Sequence, residues 1–276
     1  MTKSKKTKSG IGWKIISFPF KLVGKTIYYT GKGIYHGTKW TVNSLIKKAD
    51  ERKIEKIKPK LPPSHKPLKE IKKFEGELEK FEKLLQTQGK IGIILGGRGT
   101  GKSALGMRII ENINAKTKKK IGAWGFDKTT IPSWIKPING INEIDNNSFV
   151  IVDESGISFS SRNSMSELNK ILTELLLISR HKNISVIFIT QNSSNIDVNI
   201  LRQADYLLFK PHSLLQLNFE RKIIKEIYSE AETEFKKIKE IGATYIYSNN
   251  FKGFASNELP SFWSENVSKS FSNEKI

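Results

Sequence analysis

The chain has 276 residues, a length that fits one medium-sized domain with extensions. A hydrophobic content of 37% supports a packed core, and no stretch of the sequence is long and apolar enough to cross a bilayer. Cys is absent, which excludes disulfides and thiolate metal sites, and the formal net charge of +20 favours contact with polyanions such as nucleic acid or acidic lipid.

Half of that charge lies in residues 1–50, which contain 11 Lys and one acid. Apolar side chains recur there every seven residues, at Trp13, Phe20, Ile27 and Ile34. This pattern predicts a basic amphipathic arm over residues 1–57. Three interpretations of residues 11–48 stay open: a helix in a membrane interface, a docking arm for a capsid or portal protein, and a basic arm that binds nucleic acid nonspecifically. Lys residues interrupt the apolar positions, which argues against a cleaved signal peptide.

Residues 58–67 hold four of the nine Pro residues and are predicted to form an extended, semi-rigid linker. Apolar residues then follow at spacings of three and four, and these are Leu68, Ile71, Phe74, Leu78, Phe81 and Leu85. The spacing predicts a single amphipathic helix over residues 68–88.

A glycine-rich motif follows the apolar run of residues 91–95 and precedes the helix-prone residues 104–112. Its members are Gly96, Gly97, Arg98, Gly99, Thr100, Gly101, Lys102 and Ser103. In this pattern backbone N–H groups wrap a phosphate chain, Lys102 reaches the β- and γ-phosphates, and the Ser103 hydroxyl holds Mg²⁺. The sequence therefore predicts that the chain binds a nucleotide, with ATP and Mg²⁺ as cofactors.

Two further apolar runs end in polar residues. The run Ser148–Asp153 ends in an acid that is placed to hold Mg²⁺ opposite Ser103, and the next residue, Glu154, is predicted to polarise an attacking water. The run 185–190 is followed by Gln191, whose amide is predicted to sense the γ-phosphate or the water. This set of groups is typical of a nucleotide hydrolase.

Strands are also predicted at residues 119–126 and 204–210, with a surface connection over 127–148. Helices are predicted from a capping box at 164–167 to about residue 182, and over residues 214–241. A hairpin is predicted from residues 244–247 and 251–254. The alternation predicts an α/β fold with a mainly parallel sheet over residues 89–256, followed by a tail at 257–276. Such a sheet would bring Lys102, Asp153 and Gln191 together at the carboxyl edge of its strands.

Charge that develops on the γ-phosphate is commonly neutralised by an arginine, often from a neighbouring subunit. Arg180 and Arg202 flank the strand before Gln191 and are the candidates for that role. Arg98 lies inside the phosphate-binding motif, where it either acts within its own subunit or fills a variable position. Arg162, in a Ser-rich segment, is a candidate for contact with phosphates in a central pore or belongs to a solvated loop.

The motifs appear in the order GGRGTGKS, FVIVDES and VIFITQN, followed by Ile196-Asp197 and residues 201–205. This order, over about residues 90–210, resembles the FtsK–HerA group of P-loop motor ATPases. Within the group it is most similar to the genome-packaging ATPases of archaeal viruses with double-jelly-roll capsids, and Zot-like assembly ATPases are also similar. The resemblance implies a RecA-like parallel sheet, ATP hydrolysis between the subunits of a homo-oligomeric ring, and movement of double-stranded DNA through its centre.

These observations predict a Mg²⁺-dependent ATPase that translocates DNA, as a viral genome-packaging motor does. Two alternatives stay open: a Zot-like, membrane-associated assembly or secretion ATPase, and a slow nucleotide-binding switch anchored to a membrane or capsid. The expected location is the interior of the host cell, with association to a virion or a membrane as an extension of that prediction.

Overall fold

The computed structural model describes residues 61–160 and 165–264 and residue 267. The predicted arm over residues 1–57, Arg162 and most of the tail after residue 264 lie outside the described residues. In the described part of the chain, no helix is long and apolar enough to pass through a membrane.

Nine strands alternate with seven helices in the described residues, together with two short 3-10 turns at Ile141–Glu143 and Ser193–Asn195. The strands are β1 (Lys69–Gly76), β2 (Ile91–Leu95), β3 (Lys120–Trp124), β4 (Ile135–Ile138), β5 (Ser148–Asp153), β6 (Ser185–Thr190), β7 (Tyr206–Phe209), β8 (Thr244–Ser248) and β9 (Phe251–Ser256). The helices are α1 (Leu78–Gln86), α2 (Lys102–Lys116), α3 (Glu154–Ser160), α4 (Met165–Lys182), α5 (Val198–Arg202), α6 (Leu214–Phe219) and α7 (Lys222–Lys237).

The strands form one sheet in the order β1-β9-β8-β7-β2-β6-β5-β3-β4. Six of them, from β7 to β4, are parallel, while β8, β9 and β1 extend the sheet in antiparallel fashion. The central strands β2, β5 and β6 are buried along their whole length, as expected for a parallel sheet covered on both faces. The predicted α/β class and the mainly parallel sheet are confirmed.

Helices cover both faces of the sheet. On one face α1 and α2 pack Phe81, Leu85, Leu105 and Ile110 against the strands. On the other face α4, α5 and α7 contribute Leu172, Leu175, Leu176, Ile200, Ile224 and Tyr228. The nine-residue helix α1 and the 16-residue helix α7 keep charged residues on their outer sides, so each presents one apolar stripe to the sheet.

The single helix predicted over residues 68–88 was wrong for its first half. Residues 69–76 form β1, and helix α1 begins only at Leu78, after Gly76 turns the chain with a positive φ of 72°. The register between β1 and β9 shifts twice, between Glu70 and Lys72 and between Lys73 and Glu75. Because each shift interrupts the two-residue alternation of a strand, Ile71 and Phe74 pack on the same face despite a helix-like spacing of three.

Two other elements differ from the predicted ones. The connection predicted over residues 127–148 contains the short strand β4, where Pro137 is tolerated because β4 lies at the edge of the sheet. Residues 154–160, for which the sequence predicted no element, form helix α3. The long helix predicted over residues 214–241 is divided into α6 and α7, because the chain is extended at Glu220 and Arg221. The predicted hairpin is confirmed as β8 and β9.

Residues 61–67, predicted as part of a linker, are hydrogen-bonded to the body of the domain. The backbone N–H of Ser64 donates to Glu111 Oε1 over 3.1 Å, and that of Lys66 donates to Asn112 Oδ1 over 2.9 Å. The Asn112 amide donates back to the Lys66 carbonyl over 2.7 Å. This stretch therefore lies along α2, the helix that follows the phosphate-binding motif.

Candidate nucleotide-binding site

The glycine-rich motif forms a loop between the carboxyl end of β2 and the amino end of α2. Gly96 has a φ of 153°, and a Cβ placed on it would lie 2.6 Å from the Cβ of Lys210, so a side chain does not fit there. Gly101 adopts a left-handed conformation with φ 86° immediately before α2 begins. Glycine is needed at both positions, and the loop is placed to present backbone N–H groups to a phosphate chain.

Lys102 folds back over this loop. Its Nζ donates to the carbonyl oxygens of Gly96 and Gly97 over 2.9 and 2.8 Å. Burial lowers the pKa of Lys102, and the negative charges of Asp153 and Glu154 act in the opposite direction. The ammonium group therefore lies within electrostatic reach of both acids, at the place where phosphate oxygens would replace the two carbonyls.

Ser103 and Asp153 meet at the same edge of the sheet. The Ser103 hydroxyl donates to Asp153 Oδ2 over 2.7 Å, while the Ser155 N–H donates to Asp153 Oδ1 over 3.1 Å. Burial raises the pKa of Asp153, and the hydrogen bonds from Ser155 and Ser103 and the charge of Lys102 oppose that rise. Ser103 and Asp153 are therefore in direct contact, while their role as Mg²⁺ ligands stays a prediction.

The hydroxyl oxygen of Ser103 and the carboxylate of Asp153 are of the kind that would suit a hard divalent cation such as Mg²⁺. Within the described part of the chain, no group of three or more His, Asp and Glu side chains could hold a metal ion. A Mg²⁺ ion held by Ser103 and Asp153 would therefore complete its coordination with phosphate and water oxygens, as this ion commonly does beside a nucleotide.

Glu154 follows Asp153 as the first residue of α3. Its Oε1 accepts a hydrogen bond from the Asn195 amide over 2.7 Å, and its Oε2 accepts one from the Thr190 hydroxyl. Thr190 is the last residue of β6, and Asn195 lies in the 3-10 turn that follows. Neither residue was among the predicted site residues. The position of Thr190 directly before Gln191 was the only signal in the sequence, and nothing there marked Asn195.

Gln191 lies directly after β6 and is exposed. In the described residues no hydrogen bond joins its amide to Glu154, whose side-chain partners are Thr190 and Asn195. Arg98 is exposed in the phosphate-binding loop. The sensing role of Gln191 and the role of Arg98 stay predictions.

Arg180 and Arg202 lie near the amino ends of the parallel strands, whereas the phosphate-binding loop lies at their carboxyl ends. Arg180 is in the last turn of α4, before β6 begins, and Arg202 ends α5, before β7 begins. Strands β6 and β7 run parallel to β2, so each arginine precedes the amino end of a strand and the site lies at the carboxyl ends. At the usual rise per residue, the two ends of such a strand are about 15 Å apart. Within one subunit they are therefore separated from the phosphate-binding loop by the length of the sheet.

Residues 105–210 match the family model described as zonular occludens toxin (Zot). A comparison with curated proteins finds no match. Among solved structures, B204, the DNA-packaging ATPase from Sulfolobus turreted icosahedral virus, is 17% identical over 62% of this chain and 99% of its own, with a TM-score of 0.45.

The B204 genome-packaging NTPase of Sulfolobus turreted icosahedral virus 2, in complex with ATP-gammaS, is 16% identical over 62% of this chain and 98% of its own, with a TM-score of 0.42. The N-terminal domain of zonular occludens toxin from Neisseria meningitidis is 19% identical over 44% of this chain and 76% of its own, with a TM-score of 0.32. The family-model match, together with the phosphate-binding loop and the acidic strand end, supports a relation between this chain and Zot-like P-loop ATPases.

Proposed function

We propose that this chain is a Mg²⁺-dependent ATPase that translocates double-stranded DNA, in the manner of a viral genome-packaging motor. One observation carries the ATPase part of the proposal: the Ser103 hydroxyl lies 2.7 Å from Asp153 beside the Lys102 ammonium, and Glu154 follows in the next position. A nucleotide hydrolase requires this set of groups at one edge of a parallel sheet.

Each residue has a separate task in that reaction. The loop N–H groups and Lys102 hold the phosphate chain and neutralise its charge, since Lys102 can exchange its two carbonyl partners for phosphate oxygens. A Mg²⁺ ion held by Ser103 and Asp153 would supply further neutralisation of the phosphate oxygens. Glu154 accepts the proton of the attacking water, because its carboxylate lies beside the site and is oriented by two hydrogen bonds.

The DNA part of the proposal rests on charge and on relatives. The chain carries a net charge of +20, a field that attracts a polyanion. B204 is described as a DNA-packaging ATPase, and we carry that activity to this chain as a hypothesis. The test is ATP turnover by the full chain with and without duplex DNA. Stimulation by duplex is expected, and turnover that duplex leaves unchanged would contradict a DNA motor.

The control compares Lys102→Ala with Lys116→Ala, since each variant removes one positive charge from α2. Both lysines belong to α2, but Lys116 is exposed in its last turn while Lys102 contacts the phosphate-binding loop. Turnover is expected to persist in Lys116→Ala and to disappear in Lys102→Ala, which assigns the measured activity to this site. Equal activity in the two variants would place the hydrolysis elsewhere or in a contaminant.

A second candidate function is that of a Zot-like, membrane-associated assembly ATPase, which the Zot family-model match favours. The predicted arm over residues 1–57 would then bind the membrane surface. Removal of residues 1–58 is expected to abolish binding to anionic vesicles while ATP turnover continues. Vesicle binding that survives the truncation would reassign the arm to nucleic acid or to a capsid protein.

We further propose a ring in which Arg180 or Arg202 acts on the nucleotide of a neighbouring subunit. Both arginines lie at the amino ends of the strands, opposite the phosphate-binding loop. A head-to-tail contact between subunits joins two different surfaces, so it can bring the arginine surface of one subunit to the phosphate-binding loop of the next. Glu154→Gln subunits mixed with Arg180→Ala or Arg202→Ala subunits are expected to regain activity. At some interfaces of the mixed ring, an intact Glu154 from one subunit meets an intact arginine from its neighbour. Sedimentation as a monomer with DNA and a non-hydrolysable ATP analogue would contradict the ring.

A further inference from the structure

The carboxylate of Glu154 has two side-chain partners that no sequence motif marked. Asn195 Nδ2 donates to Oε1 over 2.7 Å, and the Thr190 hydroxyl donates to Oε2. The Thr190 oxygen also accepts a hydrogen bond from the Asn192 N–H over 3.2 Å, and the Asn192 carbonyl, 3.0 Å away, is a second acceptor for the Thr190 proton. Each carboxylate oxygen therefore has one side-chain donor within hydrogen-bond distance and keeps lone pairs free for a water.

Among the described residues, few other polar groups lie beside the Glu154 stem. A small cavity of about 10 Å³ lies beside the stem, and apart from Thr190 its remaining lining residues are apolar, namely Val152, Leu172, Phe188, Ile189 and Ile196. A carboxylate that left Asn195 and Thr190 on this side would face hydrocarbon, which is unfavourable for a charged group. The two donors therefore determine where the carboxylate points.

The turn that carries Asn195 is itself fixed by buried groups. Glu220 Oε2 accepts from the Ser193 N–H over 3.0 Å and from the Ser193 hydroxyl, and the Glu220 side chain is fully buried. The Arg221 guanidinium donates to the carbonyls of Ser193 and Ile196 over 3.1 and 2.7 Å. The Asn169 amide on α4 donates to the Asn195 carbonyl over 3.2 Å. The turn that carries Asn195 is thus held by contacts from helix α4 and from the α6–α7 connection.

We infer that Asn195 and Thr190 are positioning residues that hold the Glu154 carboxylate in the orientation needed to accept a proton from water. This inference rests on the proposed ATP hydrolysis, and it adds two residues to the site. Neither residue is expected to touch the nucleotide, since both act through Glu154. A general base must lie within hydrogen-bond reach of its proton, and a displacement of about 1 Å can lower a rate about 100-fold.

The experiment compares steady-state ATP turnover of the full chain with that of Asn195→Ala and Thr190→Val. Each variant is expected to lower kcat at least about tenfold while KM for ATP stays within about twofold, because only the orientation of the base changes. Thr190→Ser keeps the hydroxyl and is expected to retain kcat within about threefold. Asn199→Ala is the matched control, since Asn199 is exposed four residues further along and its side chain makes no hydrogen bond within the described residues.

A kcat of Asn195→Ala within about twofold of the native value would overturn the inference, as would equal losses in Thr190→Ser and Thr190→Val. Failure of the DNA motor is separate, because it is read from the effect of duplex on the native chain. If the native chain hydrolyses no ATP, the side-chain amide resonance of Asn195 decides instead. It is expected to move in Glu154→Ala, and an unmoved resonance would remove the contact on which the inference depends.

Discussion

Arg108 and Glu111 form a buried ion pair on α2, outside the nucleotide site. The two side chains are 1% and 0% exposed, and Arg108 Nη1 lies 2.8 Å from Glu111 Oε2. Glu111 also accepts hydrogen bonds from the N–H groups of Ser64 and Ser261 over 3.1 and 3.0 Å. One carboxylate on α2 therefore ties together the segments that precede β1 and follow β9.

Glu111→Ala removes this carboxylate and leaves a buried guanidinium without its counter-ion. Removal of one partner from a buried pair costs about 3–5 kcal/mol, because the remaining charge is uncompensated. Arg108 keeps hydrogen bonds to the carbonyls of Ser64, Glu258 and Leu259, so the loss is expected near the lower end, about 3 kcal/mol. Urea denaturation followed by circular dichroism measures this loss as a change in the unfolding free energy.

Two variants make the result interpretable. The double variant Arg108→Met/Glu111→Leu is expected to be more stable than Glu111→Ala, since it leaves no unpaired charge. Glu79→Ala, which breaks the exposed pair with Lys83 on α1, is expected to leave the urea midpoint unchanged. A loss below about 1 kcal/mol in Glu111→Ala would refute the reasoning, because it would mean that the remaining carbonyls satisfy Arg108.

Three further outcomes are expected. Lys102→Ala should abolish ATP binding while Glu154→Gln should retain it and stop hydrolysis; equal loss of nucleotide affinity in both would contradict the assigned roles. Gly96→Ala should lower stability by about 1–3 kcal/mol and weaken nucleotide binding, because its Cβ would lie 2.6 Å from that of Lys210 at a φ of 153°; an unchanged urea midpoint would argue against the tight approach. Burial lowers the pKa of Lys210 from 10.5 to about 7. Between these two pH values Lys210 is protonated in the unfolded chain and neutral in the folded one, so its contribution to the free energy of unfolding rises with pH. Lys210→Met should remove that rise, as urea midpoints at pH 7 and 9 would show, and identical pH slopes would contradict the shifted pKa.

The parts of the fold that could be predicted from sequence are those whose signal is local. Strands β2, β5 and β6 are buried on both faces, so each appears as a continuous apolar run that ends at a glycine or polar residue. Strand β1 misled because two register shifts gave Ile71 and Phe74 a helix-like spacing. Those shifts depend on pairing with β9, and the sequence of residues 69–76 alone does not indicate that pairing.

The same distinction applies to the site. Lys102, Ser103, Asp153 and Glu154 belong to motifs whose spacing follows from strand and helix geometry, so their meeting could be predicted. Asn195 could not, because its place depends on how the turn after β6 is held. The groups that hold it are Asn169, Glu220 and Arg221, which lie about 25 residues away in either direction.

The pairing of β1 with β9 also affects the order in which the chain can fold during synthesis. Lys69 lies opposite Ser256, so nearly the whole described chain separates the two partners. As the ribosome releases the chain, β1 has no partner strand within the described residues until β9 has emerged, whereas β2, β5, β6 and β7 can assemble before then. Until that last step β1 has exposed N–H and C=O groups, which gives a chaperone or a second nascent chain time to bind it.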